Sequence, residues 1–265
     1  LDAARTDAGA IGRCAVQRAE FAGRPGMGHM RAMTAAPTLR SPQALADAGL
    51  IAPERLPALE RVAAQYAVAI TPALAELIDP ADPADPIARQ FLPAEAELEM
   101  NDLESADPIG DFTHSPVEGI VHRYPDRVLL KITHTCAVYC RFCFRREMVG
   151  PDGLKPLTPK ALDAALAYIA EHPEVWEVIV TGGDPRRLAE LTERLAQIDH
   201  VKVVRFHTKV PAVDPQAITE ELVEALRCPG KAVYVALHAN HPREMTAEVR
   251  AACAKFVDAG LPMIS

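Results

Sequence analysis

The sequence predicts an α/β protein in which short parallel strands alternate with helices, and three observations carry that prediction. First, four runs, Val128 to Thr133 (VLLKIT), Glu177 to Thr181 (EVIVT), Val201 to Phe206 (VKVVRF) and Ala232 to Leu237 (AVYVAL), are β-branched and mostly apolar, as buried strands are. Second, the stretches between and after them carry helical spacing: Leu162, Ala165, Leu166 and Ile169 after Thr158-Pro159; Leu188, Leu191 and Leu195; Ile218, Leu222 and Leu226; and Val249, Cys253 and Phe256 closing at Gly260. Third, strand and helix alternate throughout, which implies right-handed βαβ units in a parallel sheet, either doubly wound or a barrel.

From the N-terminus, residues 1–40 mix Ala, Gly, Arg and Met without an apolar period and begin at Leu1, so a disordered or non-native piece is expected, with Met30 or Met33 as candidate starts. Residues 41–120 read as a helical extension with a connector. Pro42 after Ser41, Pro53 before Leu56, Leu59 and Val62, and Thr71-Pro72 before Leu74, Leu77 and Ile78 each open a short helix. From Asp79 to Pro93 the repeated Asp-Pro-Ala cannot continue a helix, and an extended connector is expected. Residues 121–265 hold the α/β core. A fifth strand begins at Leu261-Pro262-Met263-Ile264, where the chain stops; four and a fraction βα units do not close a barrel, so a truncated piece is expected.

Composition narrows the function. A chain of 265 residues that is 49% hydrophobic buries an ordinary core. The net charge of -8 and a pI near 5.6 argue against nucleic acid or a membrane surface as partner and favour a small molecule. No stretch is apolar enough to span a bilayer and no secretory signal is present, so a soluble, cytoplasmic protein is expected. Of six cysteines, Cys136, Cys140 and Cys143 cluster while Cys14, Cys228 and Cys253 are scattered, which is a metal-site layout rather than a disulfide framework.

Those three cysteines follow directly on the first predicted strand, on the loop at its C-terminal end, where parallel α/β folds place reactive groups. Three thiolates spaced Cys-x3-Cys-x2-Cys can hold an iron–sulfur cube and leave one iron open. A zinc site completed by His134 or another histidine, and plain core cysteines, are the alternatives; structural zinc usually shows four ligands in paired spacing. Thr181-Gly182-Gly183-Asp184 ends the second strand, where glycines admit close backbone approach and the carboxylate can receive an ammonium. Arg123, Tyr124 and Arg127 stand just before the first strand and suit a phosphate or carboxylate, as do Arg145 and Arg146 after the cysteine loop. His207 and His238 end successive strands, with Asn240 and His241 beyond, and point to a ligand-facing role.

The segment His122 to Gly150 (HRYPDRVLLKITHTCAVYCRFCFRREMVG), the Gly-Gly-Asp turn, Arg205 to Pro211 (RFHTKVP) and His238 to Pro242 (HANHP) together resemble the lysine 2,3-aminomutase family of the radical S-adenosylmethionine (SAM) superfamily, over roughly Thr71 to Ser265. The resemblance implies a partial (β/α) barrel of radical SAM type with an N-terminal helical extension. It implies a [4Fe-4S] cluster on Cys136, Cys140 and Cys143, and SAM cleaved by a reducing electron donor. Phe142 would lie beside the adenine, Gly182, Gly183 and Asp184 at the SAM amino group, and His238 would also bind cofactor. Arg123, Tyr124 and Arg127 would lie near pyridoxal phosphate and Arg145 against the substrate carboxylate. The reaction implied moves the amino group of L-lysine from C2 to C3 to give β-lysine, in a protein free to form a homo-oligomer.

Three departures stand against the family pattern. Arg186-Arg187-Leu188 follows Asp184-Pro185 with fewer intervening residues than usual. The family's pyridoxal lysine and ammonium-binding aspartates fall beyond position 265, so no catalytic residue is assigned and the chain by itself is expected to be incomplete. Phe144 resembles the relative that makes β-lysine for elongation factor P modification. A radical SAM enzyme without pyridoxal phosphate and a zinc-stabilised binding module complete the alternatives.

Overall fold

A computed structural model describes residues 36–99, 102, 104–150, 155–181 and 185–265. The expectation for residues 1–40 falls outside this range except at its end, where Leu39 forms an antiparallel bridge to Ile70. The three predicted helices are present. α1 (Pro42–Asp47) starts where the Ser41 hydroxyl accepts from the Ala44 N–H at 3.1 Å, with proline in its first turn where a missing N–H does no harm. α2 (Leu56–Gln65) buries Leu59 and Val62, and α3 (Pro72–Ala75) buries Leu74.

The Asp-Pro-Ala repeat is not extended, contrary to the sequence expectation. Each aspartate folds its own turn: Asp79 Oδ1 accepts from Ala81 N (2.9 Å), Asp82 Oδ1 from Ala84 N (2.8 Å), and Asp85 Oδ1 from Ile87 N (2.8 Å) and Ala88 N (2.7 Å). Aspartate makes such local bonds readily, and proline after it presets the backbone angle. The last of these turns leads into α4 (Ala88–Phe91), holding the N–H of its first residue.

One six-stranded sheet follows, in the order β1-β2-β3-β4-β5-β6: β1 (Ile120–Tyr124), β2 (Arg127–Lys131), β3 (Glu177–Thr181), β4 (Val203–Thr208), β5 (Ala232–Leu237) and β6 (Met263–Ile264). β2 to β6 run parallel and in sequence order. Each crossover adds a strand to the same edge, and right-handed crossovers in one direction put their helices on one face. That is the winding of an unclosed barrel, not a doubly wound sheet, and it settles the alternative in favour of a partial (β/α) barrel.

β1 was missed. The segment just before the first expected strand is an antiparallel edge strand, pairing Ile120 with Leu130 and Tyr124 with Arg127, with a register irregularity between. After Ile120 and Val121 its residues are polar, so no alternation marks it; an edge strand needs only one neighbour and tolerates such composition. Arg123 and Tyr124 are therefore strand residues, and Arg127 opens β2.

The helical face of the sheet is apolar. Val128, Leu130, Val178, Val180, Val204, Phe206, Val233 and Val235 pack against α5 (Pro159–Ala170), α6 (Pro185–Ala196), α8 (Glu220–Ala225) and α9 (Ala247–Asp258), with α7 (Val210–Val213) lying between β4 and α8. The opposite face has no helices from the crossovers and carries three cross-strand rows: Arg127, Glu177, Val203 and Ala232; then Leu129, Ile179, Arg205 and Tyr234; then Lys131, Thr181, His207 and Ala236 at the C-terminal edge. A second apolar cluster joins α1 to α4 with Val138 of the cysteine loop and Ala212 and Val213 of α7.

Candidate active site

The cysteine loop leaves β2 without regular structure and is shaped by short-range bonds. Cys143 N donates to Cys140 O (3.1 Å), Arg146 N to Cys143 O (3.1 Å) and Met148 N to Arg145 O (2.9 Å), so successive turns hold the second and third cysteines close. The residues between the first two cysteines anchor it: Val138 and Tyr139 are buried, Val138 and Ala137 in the second apolar cluster. Cys136, Cys140 and Cys143 all line one cavity, together with Tyr66, Arg141 and Arg146.

The Cys140 thiol is pushed up to about 12, first by burial, against the lowering pull of Lys209. Cys136 is exposed as a residue, yet burial of its thiol and the neighbouring Cys143 push it up to about 11. Both sulfurs are protonated at neutral pH, and metal binding must displace their protons. Among the described residues, no three His, Cys, Asp or Glu side chains surround one point where a single ion would sit. The site is marked by its shared cavity and by flanking guanidinium groups, which suit an anionic thiolate-bound iron–sulfur cube.

The buried His134, two residues before Cys136, has neither ring nitrogen in a hydrogen bond. Burial first, then Lys131, lowers its pKa, so the ring is neutral at pH 7. It does not join the cysteines in a common metal group.

Phe142 and His238 do come together, with ring centroids 6.0 Å apart and planes perpendicular. Phe142 is exposed, as is Phe144 beside it. The His238 pKa is lowered by burial and by Lys209, and that of His207 by burial and by Arg205, so both rings are neutral at pH 7. Gly182, Gly183 and Asp184 lie outside the described residues.

Arg145 already has a carboxylate. Its Nε donates to Asp111 Oδ2 at 2.7 Å, Lys131 Nζ stands 3.3 Å from the same oxygen, and its guanidinium lies over the Phe144 ring at 4.7 Å. Burial works to raise the Asp111 pKa, but Arg145 and Lys131 overcome it and hold Asp111 ionised. Two cations share one buried carboxylate, so a net positive charge remains at the C-terminal edge of the bare sheet face. Sequence reading overlooked Asp111 and Lys131: nothing local ties an aspartate in an irregular segment to a strand lysine, although a lysine inside an apolar strand was a usable signal.

Arg123, Tyr124 and Arg127 are not gathered with the cysteines. Arg127 begins β2 whereas the cysteine loop follows its end, so the strand's length, about 13 Å at 3.3 Å per residue, separates them. Arg127 is bound by Asp126 (2.6 Å) and Glu177 (3.2 Å), and Glu177 also holds Arg205 (2.5 Å), whose Nε is buried without an acceptor. Tyr124 is exposed, with the Arg127 guanidinium 6.0 Å from its ring.

An unclosed parallel barrel with a three-cysteine loop at the C-terminal end of its first parallel strand is the framework of radical SAM proteins. The chain matches the Radical SAM superfamily over residues 130–263 and belongs to it. Membership implies a [4Fe-4S] cluster and SAM. The chain is 39% identical over 218 residues to the L-lysine 2,3-aminomutase of Acetoanaerobium sticklandii, covering 80% of this chain and 52% of that protein. It is 42% identical over 202 residues to the L-lysine 2,3-aminomutase of Clostridium subterminale, covering 74% and 48%. It is also 37% identical over 210 residues to the glutamate 2,3-aminomutase of Clostridioides difficile, covering 77% and 49%. The chain thus spans about half the length of the relatives it matches.

Proposed function

We propose that the chain is the cluster-binding part of an amino acid 2,3-aminomutase, with L-lysine as substrate and pyridoxal phosphate as second cofactor. The observation that carries the reading is the single cavity lined by Cys136, Cys140 and Cys143 at the C-terminal edge of an open barrel. The three thiols would hold the cluster, and Phe142 with His238 would present an aromatic edge to the nucleoside of SAM. A cluster bound here would supply an electron for reductive cleavage of SAM, and pyridoxal phosphate would supply a π-system able to spread unpaired spin.

The protein's own part is binding and positioning. Arg145, preoriented by Asp111, presents a fixed guanidinium edge to a substrate carboxylate, and the adjacent Lys131 leaves the site one positive charge in excess to attract it. Neutral His207 and His238 donate or accept hydrogen bonds without adding charge. The bare sheet face supplies the concave wall, and Arg127 and Arg205 at its lower rows are the groups suited to a phosphate.

Anaerobic reconstitution of the chain with iron and sulfide tests this: about four irons per chain and 5′-deoxyadenosine on adding SAM and dithionite are expected. Zinc without iron would overturn it. The natural gene product, given L-lysine or L-glutamate with pyridoxal phosphate, is expected to form β-lysine; a β-amino acid from glutamate alone would move the substrate assignment.

A further inference from the structure

Arg141 is tied to the helical segment before the sheet more tightly than any other residue of the cysteine loop. It lies between Cys140 and Cys143, and both its main chain and its side chain are engaged. Its N–H donates to Gln90 O at 2.7 Å. Its Nε donates to both Glu97 oxygens at 3.0 and 3.1 Å, its Nη2 pairs with Glu97 Oε2, and its Nη1 donates to Ala67 O at 2.8 Å. The two side chains are 8% and 10% exposed. A planar guanidinium fixed by a carboxylate and a carbonyl has little freedom to rotate, so the pair fixes orientation as well as contact.

The grip continues beyond Gln90. Its side-chain Nε2 donates to Glu244 Oε1 (3.1 Å), and its Oε1 accepts from Asn240 Nδ2 (3.1 Å). Glu244 is fully buried and pairs with Lys209 Nζ at 2.8 Å. The loop between Cys140 and Cys143 is thereby bracketed by the segment after α2, by α4 and its sequel, and through α4 by the chain following β4 and β5. Arg141 and Glu97 also line the cavity shared by the three cysteines.

An irregular loop that must converge three sulfurs on one cube loses much conformational entropy in doing so. A buried ion pair that sets the loop's geometry before the metal arrives removes that cost from the binding step. We propose that Arg141 is a positioning residue for the cluster, locking Cys140 and Cys143 against Glu97, Ala67 and Gln90, so that the helical segment is a structural part of the cluster site. This rests on the reading of the three cysteines as cluster ligands. Arg141 acts through the loop; it is not a ligand.

The test compares the unsubstituted chain with Arg141→Met, Arg141→Lys, Glu97→Gln and the surface control Arg194→Met after anaerobic reconstitution. Iron and sulfide content, the electron paramagnetic resonance signal of the reduced cluster with and without SAM, and the rate of iron loss to a chelator are read alongside far-ultraviolet circular dichroism. Arg141→Met and Glu97→Gln are expected to keep the fold and to lose iron about tenfold faster, the size typical of groups that orient metal ligands, with an altered signal. Arg141→Lys is expected to recover part of the difference and Arg194→Met to match the unsubstituted chain. Equal iron content, signal and chelation rate in Arg141→Met would overturn the lock while leaving the cluster assignment standing. A folded, unsubstituted chain that takes up no cluster would overturn both. If Arg141→Met does not fold, Glu97→Gln and Arg141→Lys decide by the same criteria.

Discussion

The two apolar clusters of this protein are built on different principles. The one between the sheet and α5, α6, α8 and α9 is almost wholly aliphatic, drawn from strand alternation and helix spacing. The one formed by α1 to α4, the cysteine loop and α7 is crossed by polar links between distant segments, most of them buried. Gln90 meets Glu244, Arg243 meets Asp85 at 2.5 Å, Arg141 meets Glu97, and the Thr71 hydroxyl reaches Val213 O. The first cluster supports the framework. The second fixes one particular arrangement of a loop with no regular structure of its own, which requires directional contacts because non-directional apolar packing permits several.

The largest expected effect separates the two outright. Replacing Cys136, Cys140 or Cys143 with alanine is expected to abolish cluster assembly while leaving thermal unfolding within a few degrees of the parent, measured by iron content and circular dichroism. A matching fall in stability would mean the thiols serve the fold.

Next are the buried groups. Lys209→Met strands the fully buried Glu244 and is expected to cost about 3–5 kcal/mol by denaturant titration, while Leu191→Ala in the aliphatic cluster costs about 2–5 kcal/mol. The distinction lies in the repair: the double variant Lys209→Met with Glu244→Gln should recover part of the loss, because an amide oxygen still accepts from Gln90, Asn240 N and His241 N without a stranded charge, whereas no second polar change refills the Leu191 cavity.

Acid should dissociate the clusters in order. Asp85 and Glu244 both titrate below their ordinary range, since hydrogen bonds from backbone amides and from Arg243 or Lys209 outweigh burial, which acts to raise them. A carboxylate with a depressed folded pKa contributes stability above the ordinary value of about 4 and loses it as pH falls through the folded one. Protection of the α2 and α4 amides against hydrogen exchange is therefore expected to fall below about pH 4 before that of the β3 and β4 amides does. Simultaneous loss would mean one cooperative unit. The smallest effect is expected at the surface, where Arg194→Met breaks the exposed pair with Asp163 at a cost under about 1 kcal/mol.

Much of the framework was legible. Glu177 to Thr181 and Ala232 to Leu237 match the observed strand bounds, because short runs of β-branched, mostly apolar residues favour a pleated strand. β1 was not read, because an edge strand of mixed polarity carries no period, and the Asp-Pro-Ala connector was read as extended because proline argues only against helix and is silent on turns made by the aspartates. At the site, the spacing of the cysteines was visible, and the meeting of Phe142 with His238 joins two residues singled out separately. Asp111, Lys131, Gln90, Glu97 and Glu244 were not visible as partners, since each acts through a residue far along the chain.

The amino-acid sequence by itself determined the alternation of strand and helix, the place of the cysteine triplet after β2 and the membership in one superfamily. These depend on periodicity and spacing, which are local. The tertiary structure alone decided that Arg145 shares Asp111 with Lys131, that Arg127 sits a strand's length from the cysteines, and that the helical segment holds the loop through Arg141. Ion pairs and hydrogen bonds form between side chains only when folding brings them within a few ångströms, and sequence separation does not record that distance.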